Sequence, residues 1–410
     1  MSKYNEIYSR PAIMNMVEEN GKLWMALLNR NGICELDMVT RQAKICKVFD
    51  GEPLSGEFLY CYVAKAGNNL IFSPGLAEKI AVYNPEQDSI RYLSLKPVNY
   101  NCKEDQREAK FWNIITYGMN VYLLGYSYPA IVKIEMKTME MTYITDWVET
   151  LEKYIAQGDT RGYFSDGYVI SDGVAILPVS SMSAVVELDL KADYTMIRKL
   201  DIPVDGIGSL SSTDGNTIWL TGRGHGANQV FCWNRQNGTI ESILLTDEKD
   251  NVTDPFYAPI CTESQIFFMP ISATSSYEVN PDGEIIKRSE EMGIHSDGTR
   301  VALWSGCVTM APKLGKNCLI YLTGEDLKWH KYNVMTGEHF SYNVYIEEGV
   351  LETERLLEER YRNQEKEKLV FSELRMPLAY FLERVPEPEK QKEEKGSVRT
   401  GAEIYEQICG

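Results

Sequence analysis

Apolar residues in this chain come in short runs of four to six, rich in β-branched and aromatic side chains, and the runs are closed by Gly, Asn or Asp. Runs of that length and composition predict strands, because a helix would need apolar residues at three- and four-residue spacing. The runs form a repeated phrase: a turn residue, a strand, a small or polar loop, a second strand ending in Asp, Asn or Glu, then a tight turn. The first copy is Leu23-Trp24-Met25-Ala26-Leu27 followed by Ile33-Cys34-Glu35-Leu36-Asp37. A later one is Thr217-Ile218-Trp219-Leu220 followed by Gln229-Val230-Phe231-Cys232-Trp233-Asn234. Seven copies start at positions 23, 70, 121, 174, 218, 266 and 319, a mean period of about 49 residues. Asn237-Gly238, Asp282-Gly283 and Thr336-Gly337 follow the second strand of their copies, where turns need positive backbone angles.

Further strands are predicted before each phrase, as at Phe58 to Val63, Phe111 to Thr116, Phe256 to Cys261 and Cys307 to Ala311. Others follow it, as at Ile90 to Leu93, Met141 to Ile144 and Ile240 to Leu245. Four strands per unit at this period resemble the β-propeller superfold of WD40-like and kelch-like repeats. The resemblance is to architecture: no copy carries the Trp-Asp ending or Gly-His opening of WD40, nor the kelch double glycine. It implies an all-β, seven-bladed β-propeller over 1–346, with six blades as the alternative count. The aromatics Trp24, Trp219, Trp233 and Trp329 recur at matching positions and are read as packing between sheets.

Residues 347–410 differ in character: 27 of 64 positions are charged, and every acid is Glu. Val350 to Gln364 and Leu369 to Val385 are predicted helical, a linker follows near 386–399, and a short terminal helix carries Ile404, Tyr405 and Ile408. Leu378, Phe381, Ile404, Tyr405 and Ile408 are the candidate partner-docking residues of this C-terminal helical extension. A second helix is expected over Asp146 to Tyr154, capped by Asp146, with Trp147, Leu151 and Tyr154 on one face.

The 410 residues are 44% hydrophobic and 25% charged, and the formal net charge is −17. An acid excess of that size argues against nucleic acid or an anionic membrane as the partner of the whole surface. No apolar stretch is long enough to span a bilayer, and Met1 to Arg10 has no apolar core of the kind a signal peptide needs. The expectation is a cytoplasmic protein. Nine cysteines without a C-x-x-C pair, most of them inside apolar runs, read as free buried thiols.

Signatures of zinc proteases, phosphate-binding loops, serine hydrolases and calcium loops are absent from the sequence, and no metal or cofactor is expected. Gly222-Arg223-Gly224-His225-Gly226 looks like a nucleotide loop but leads into a strand, so no helix N-terminus would receive a pyrophosphate. Its Arg and His could still face a ligand. In a propeller the loop between second and third strands shares one face with the connections between blades. The candidates on that face are Arg30, Tyr126, Tyr128, Ser181, Arg223, His225, Ser275 and Lys328. Carboxylate pairs such as Glu35 with Asp37 and Glu187 with Asp189 are expected to satisfy backbone groups. The leading functional expectation is a non-catalytic scaffold that recognises a protein or peptide through one face and docks a second component through its C-terminal helices. The alternative is an enzyme or glycan-binding module at the mouth of the channel.

Overall fold

The computed structural model describes residues 11–37, 39–97, 109–153, 162–245, 255–270, 273, 275–289, 308–310, 318–322, 329–333, 336, 338–347, 355 and 359. Its contacts divide the chain into Lys3–Leu356 and Leu357–Gly410, and the description below concerns the first. Among the described residues its strands, β1 to β28 in chain order, form seven antiparallel four-stranded sheets. These are β1–β4 (17–47), β5–β8 (60–94), β9–β12 (111–144), β13–β16 (169–199), β17–β20 (206–244), β21–β24 (260–289) and β25–β28 (308–342). Every sheet is continuous in sequence, so no strand is exchanged between the first and the last.

First and fourth strands live in different surroundings. The first strand of the second sheet, Tyr60–Ala66, is buried at all but one position, whereas its fourth, Ser89–Ser94, is largely open. Side chains between neighbouring sheets form the core. Trp24, Phe49, Tyr60 and Phe72 fill the seam between the first two sheets, and Phe111, Val121 and Ile71 fill the next. Tyr122, Trp147 and Leu177 join the third and fourth, Ile176, Phe231 and Trp233 the fourth and fifth, Trp219, Phe256 and Phe268 the fifth and sixth. The seventh sheet meets the first through Trp329 against Leu23, Met25, Val344 and Ile346. Beyond the last strand, Ile346 bridges Ala43 in parallel, and Glu347 N donates to Ala43 O at 2.7 Å. Each such fully buried aromatic contributes about 2–3 kcal/mol by leaving water.

One end of the sheets is built from repeated turns. Asn20-Gly21 and Asp172-Gly173 both sit at positive φ, as a two-residue type I′ hairpin requires. Between third and fourth strands, Asp37, Asn84, Asp189 and Asn234 accept the amides two or three residues on. Four residues after each of these the chain turns through positive φ at Arg41, Asp88, Asp193 and Gly238.

Three expectations need correction. The helix α1 covers only Val148–Glu152, its N-cap is Trp147, and Asp146 instead accepts from Thr195 N at 2.9 Å and Thr195 Oγ1 at 2.7 Å. Asp146 therefore ties the connection to the next sheet; Tyr154 lies outside the described residues. The strand expected from Phe256 is continuous only over Ile260–Cys261. Finally, Asp37 and Asp189 do hold backbone amides, but Glu35 and Glu187 do not follow them. Glu35 binds Lys22 (3.0 Å) and Lys44 (2.8 Å), and Glu187 binds Arg198 at 2.9 Å, with Arg235 3.6 Å away. The longer Glu side chain lies along the sheet surface and meets cross-strand bases rather than the turn.

Candidate binding site at the head of the inner strands

The opposite end of the sheets carries the loops between second and third strands together with the inter-sheet connections, and main-chain bonds stitch the two sets together. Phe58 N donates to Leu28 O, Lys110 N to Gly75 O, Tyr163 N to Tyr126 O and Ile207 N to Val179 O. These bonds explain where the sequence-predicted residues fall. Arg30 is buried, and its neighbour Asn31 is held by Phe49 N, Phe49 O and Glu52 O. Tyr128 is buried and donates its hydroxyl to Lys96 O at 2.8 Å. Ser181 and Ser275 are buried too, and Ser180 Oγ donates to Gly162 O. Arg30, Tyr128, Ser181 and Ser275 are thus all buried, and Tyr128 packs with Phe111 and Val121 in the seam between the second and third sheets.

The glycine-rich segment has a packing explanation as well. Gly224 and Gly226 have φ of 74° and 73°. A Cβ on Gly226 would collide with Pro203 O, and one on Gly224 with Asp205. Arg223 is buried and takes Asp205 N on its carbonyl; His225 is exposed, its amide bound to Asp205 Oδ2 at 2.9 Å. Lys328 and the candidate docking residues Leu378, Phe381, Ile404, Tyr405 and Ile408 lie outside the described residues.

What the sequence reading missed is a recurring irregularity at the head of the first strands. In the second sheet Tyr60 pairs with Pro74 but Tyr62 with Ser73, leaving Cys61 as an extra residue. In the third, Phe111 pairs with Gly125 and Ile114 with Leu123, which leaves one extra residue at Trp112-Asn113. The fifth shows the same shift at Gly208, between Ile207 and Ser209. The sixth has it between Phe256, bridged to Pro270, and Ile260, paired with Phe267. In the fourth the pairing jumps from Phe164–Val179 to Val169–Ile176, two residues too many, and the spare segment holds Asp166 and Gly167. Asp166 bridges instead to Ser209 of the next sheet. A bulge re-aims the side chains around it, and bulges gather at rims and functional sites.

Here the re-aimed side chains meet. Trp112 lies 6.1 Å from the ring of Tyr62 and 5.3 Å from that of Tyr126, the one sequence-predicted residue that joins the group. Tyr62 Oη donates to Asp166 Oδ1 at 3.2 Å across 104 residues of sequence, and Gly167 N donates to the same oxygen at 2.9 Å. Burial pushes the Asp166 carboxyl up, partly offset by those two donors. Trp112, Tyr126 and Asp166 each keep part of their surface open. Gly162 makes room for the Tyr126 ring, which a Cβ there would strike. Alongside, Asn15 binds both Val63 N (2.7 Å) and Val63 O (3.0 Å), and Ser209 Oγ lies 2.7 Å from Thr221 Oγ1.

Among the described residues no three His, Cys, Asp or Glu side chains come together as metal ligands would, and no helix is long and apolar enough to cross a membrane. Cys34, Cys46, Cys61, Cys232 and Cys261 are free thiols. Burial pushes those of Cys46, Cys61 and Cys261 up to about 12, so they are poor nucleophiles.

Similar backbones occur in proteins with propeller folds. A chain of the mitotic checkpoint complex matches with a TM-score of 0.54 at 11% identity, over 82% of this chain and 88% of that one. Streptogramin B lyase matches at 0.51 and 12%, over 79% and 90%. The computationally designed Ika8 protein matches at 0.51 and 9%, over 81% and 87%. This chain is a β-propeller. No family model matches it, and neither does any curated protein. Identities this low show the fold alone, and the three similar proteins are a complex component, a lyase and a design.

Proposed function

We propose that this propeller has seven blades, one per sheet, and is a non-catalytic binding protein that takes a protein or peptide partner at the bulged end. The observation that carries this reading is the half-open ring pair of Trp112 and Tyr126 beside a single carboxylate, Asp166. Partly exposed aromatic side chains with a polar neighbour are the usual anchors of protein recognition. Among the described residues Asp166 accepts from Tyr62 and Gly167 and is bonded to no acid or histidine of the kind an acid–base pair employs. The seven contiguous sheets, with the seventh packed on the first, support the blade count. Among the described residues the free thiols of Cys34, Cys46, Cys61, Cys232 and Cys261 fit a reducing cytoplasm. Residues 347–410 act as a second docking element, a reading supported by their charge-rich composition and the small apolar set Ile404, Tyr405 and Ile408.

Affinity capture from native lysate tests both parts. The Trp112→Ala/Tyr126→Ala variant loses a partner that the wild-type chain retains, and the Ile404→Asp/Ile408→Asp variant loses a different one. An unchanged set of partners with the first variant contradicts recognition at the bulged end. A glycan retained on the wild type with no protein would transfer the site to carbohydrate binding.

A further inference from the structure

We infer that the bulged end recognises a cationic side chain of the partner, an ammonium or guanidinium seated on the half-open Trp112 and Tyr126 rings beside Asp166, with the buried Tyr62 joining the carboxylate to them. This inference rests on the binding reading above and names the chemistry of its partner.

Four observations converge on it. The three rings are contiguous, at 5.3 Å and 6.1 Å between centroids, and come from two neighbouring sheets. Ring faces attract cations through their quadrupole, most strongly for Trp and Tyr. Asp166 is joined to this group through Tyr62, and both of its printed donors go to Oδ1. Among the described residues Oδ2 accepts nothing, no basic side chain faces the carboxylate, and the Trp112 indole N–H has no acceptor. Among the described residues the half-buried carboxylate therefore has no counter-charge, which is the state an incoming cation relieves. The chain's net charge of −17 also draws cationic partners toward it.

A single long basic side chain carries an apolar stem for the rings and a charged head for Oδ2, whereas a phosphate or carboxylate would meet Asp166 as a like charge.

The test uses the full chain and simple probes: N-acetyl-lysine methylamide, its trimethyl-lysine form and N-acetyl-arginine methylamide, with N-acetyl-norleucine methylamide as the uncharged control. Binding is read from the Trp112 indole resonance, assigned by loss in Trp112→Phe. The expected result is saturable binding of at least one cationic probe and none of the norleucine probe, weakening as salt rises. Asp166→Asn, close in shape and still able to accept from Tyr62 and Gly167, lowers that affinity about tenfold or more. Thermal unfolding of the same variant checks that it folds. Norleucine binding as tightly as lysine, absence of any cationic binding, or an unaffected Asp166→Asn variant each overturns the inference. If these fail while Trp112→Ala/Tyr126→Ala still abolishes partner capture, the binding reading stands and only the cation is wrong. If capture is also unaffected, both fall.

Discussion

Turns at one end of the sheets are interchangeable: Asp37, Asn84, Asp189 and Asn234 each hold the following amides and bring the chain through positive φ four residues later. At the other end the segments that follow the equivalent Phe111, Phe164 and Phe256 differ from sheet to sheet. Five successive first strands carry one or two extra residues there, and Phe58 and Asn113 adopt positive φ without being glycine. The first end repeats a local solution that each blade can use in isolation. The second joins neighbouring sheets to one another through main-chain bonds, so its geometry is set sheet by sheet. Irregularity that is retained against its energetic cost is where function is to be sought.

Glycine substitutions break the comparison most strongly. Gly118 and Gly226 have similar φ, 62° and 73°, but a Cβ on Gly118 meets nothing within 4 Å while one on Gly226 strikes Pro203 O. Gly118→Ala should lower stability by about 1 kcal/mol, the intrinsic cost of the left-handed region. Gly226→Ala should lower it by about 3 kcal/mol or more, because the connection it packs on is main chain and cannot swing aside. Urea unfolding of the two variants reads the difference, and equal losses would mean the stitched end yields as readily as an open turn.

The hairpin end was legible in the sequence because its signals are local. Asn20-Gly21 or Asp282-Gly283 announces a turn from two residues, and the paired strands follow from their apolar runs. The burial of Trp24 and Trp219 was legible for a similar reason, each being the third residue of its sheet's second strand, while Trp233 and Trp329 lie in third strands. The bulges were not, because an extra residue is a relation between two strands and leaves no mark on either alone. Asp166 accordingly reads as an ordinary residue before a strand. Tyr126 could be found, since the repeat places it in a loop at the right end. That Arg30, Tyr128 and Ser275 are buried in similar loops depends on the connections lying over them, and a loop's sequence does not contain its neighbour. The one available signal was glycine or proline closing the second strands, at Pro74-Gly75, Gly125, Pro178 and Gly222, opposite the irregular segments.

A smaller effect sharpens the contrast between loop residues that support seams and those that line the site. Tyr128→Phe removes the bond to Lys96 O and should cost about 1 kcal/mol. Chemical unfolding reads it, and a variant as stable as wild type would remove Tyr128 from the seam's support.

The smallest effect depends on pH. Amides of Ala192 and Lys191 hold the exposed Asp189 carboxyl below its ordinary value. Its folded pKa lies beneath the unfolded one, so its contribution is complete above the unfolded value and is lost as pH falls through the folded value. Asp189→Ala should lower the urea midpoint slightly near neutral pH, and the gap from wild type should close in acid. A gap that persists unchanged in acid would show that the carboxylate's charge is not what holds this turn.

Asp166 has the opposite sign. Burial raises its carboxyl, offset in part by Gly167 and Tyr62, so its charged form opposes folding above the raised value and the penalty is relieved as pH falls through it. On the binding reading proposed above, such a carboxylate is held for what it binds, at some loss of stability. The most direct measurement is the urea midpoint of Asp166→Asn beside wild type at pH 7. The midpoint should rise, with the advantage shrinking in acid. A fall at pH 7 would show that the carboxylate supports the fold, and would contradict the assignment of the bulged end as a binding site.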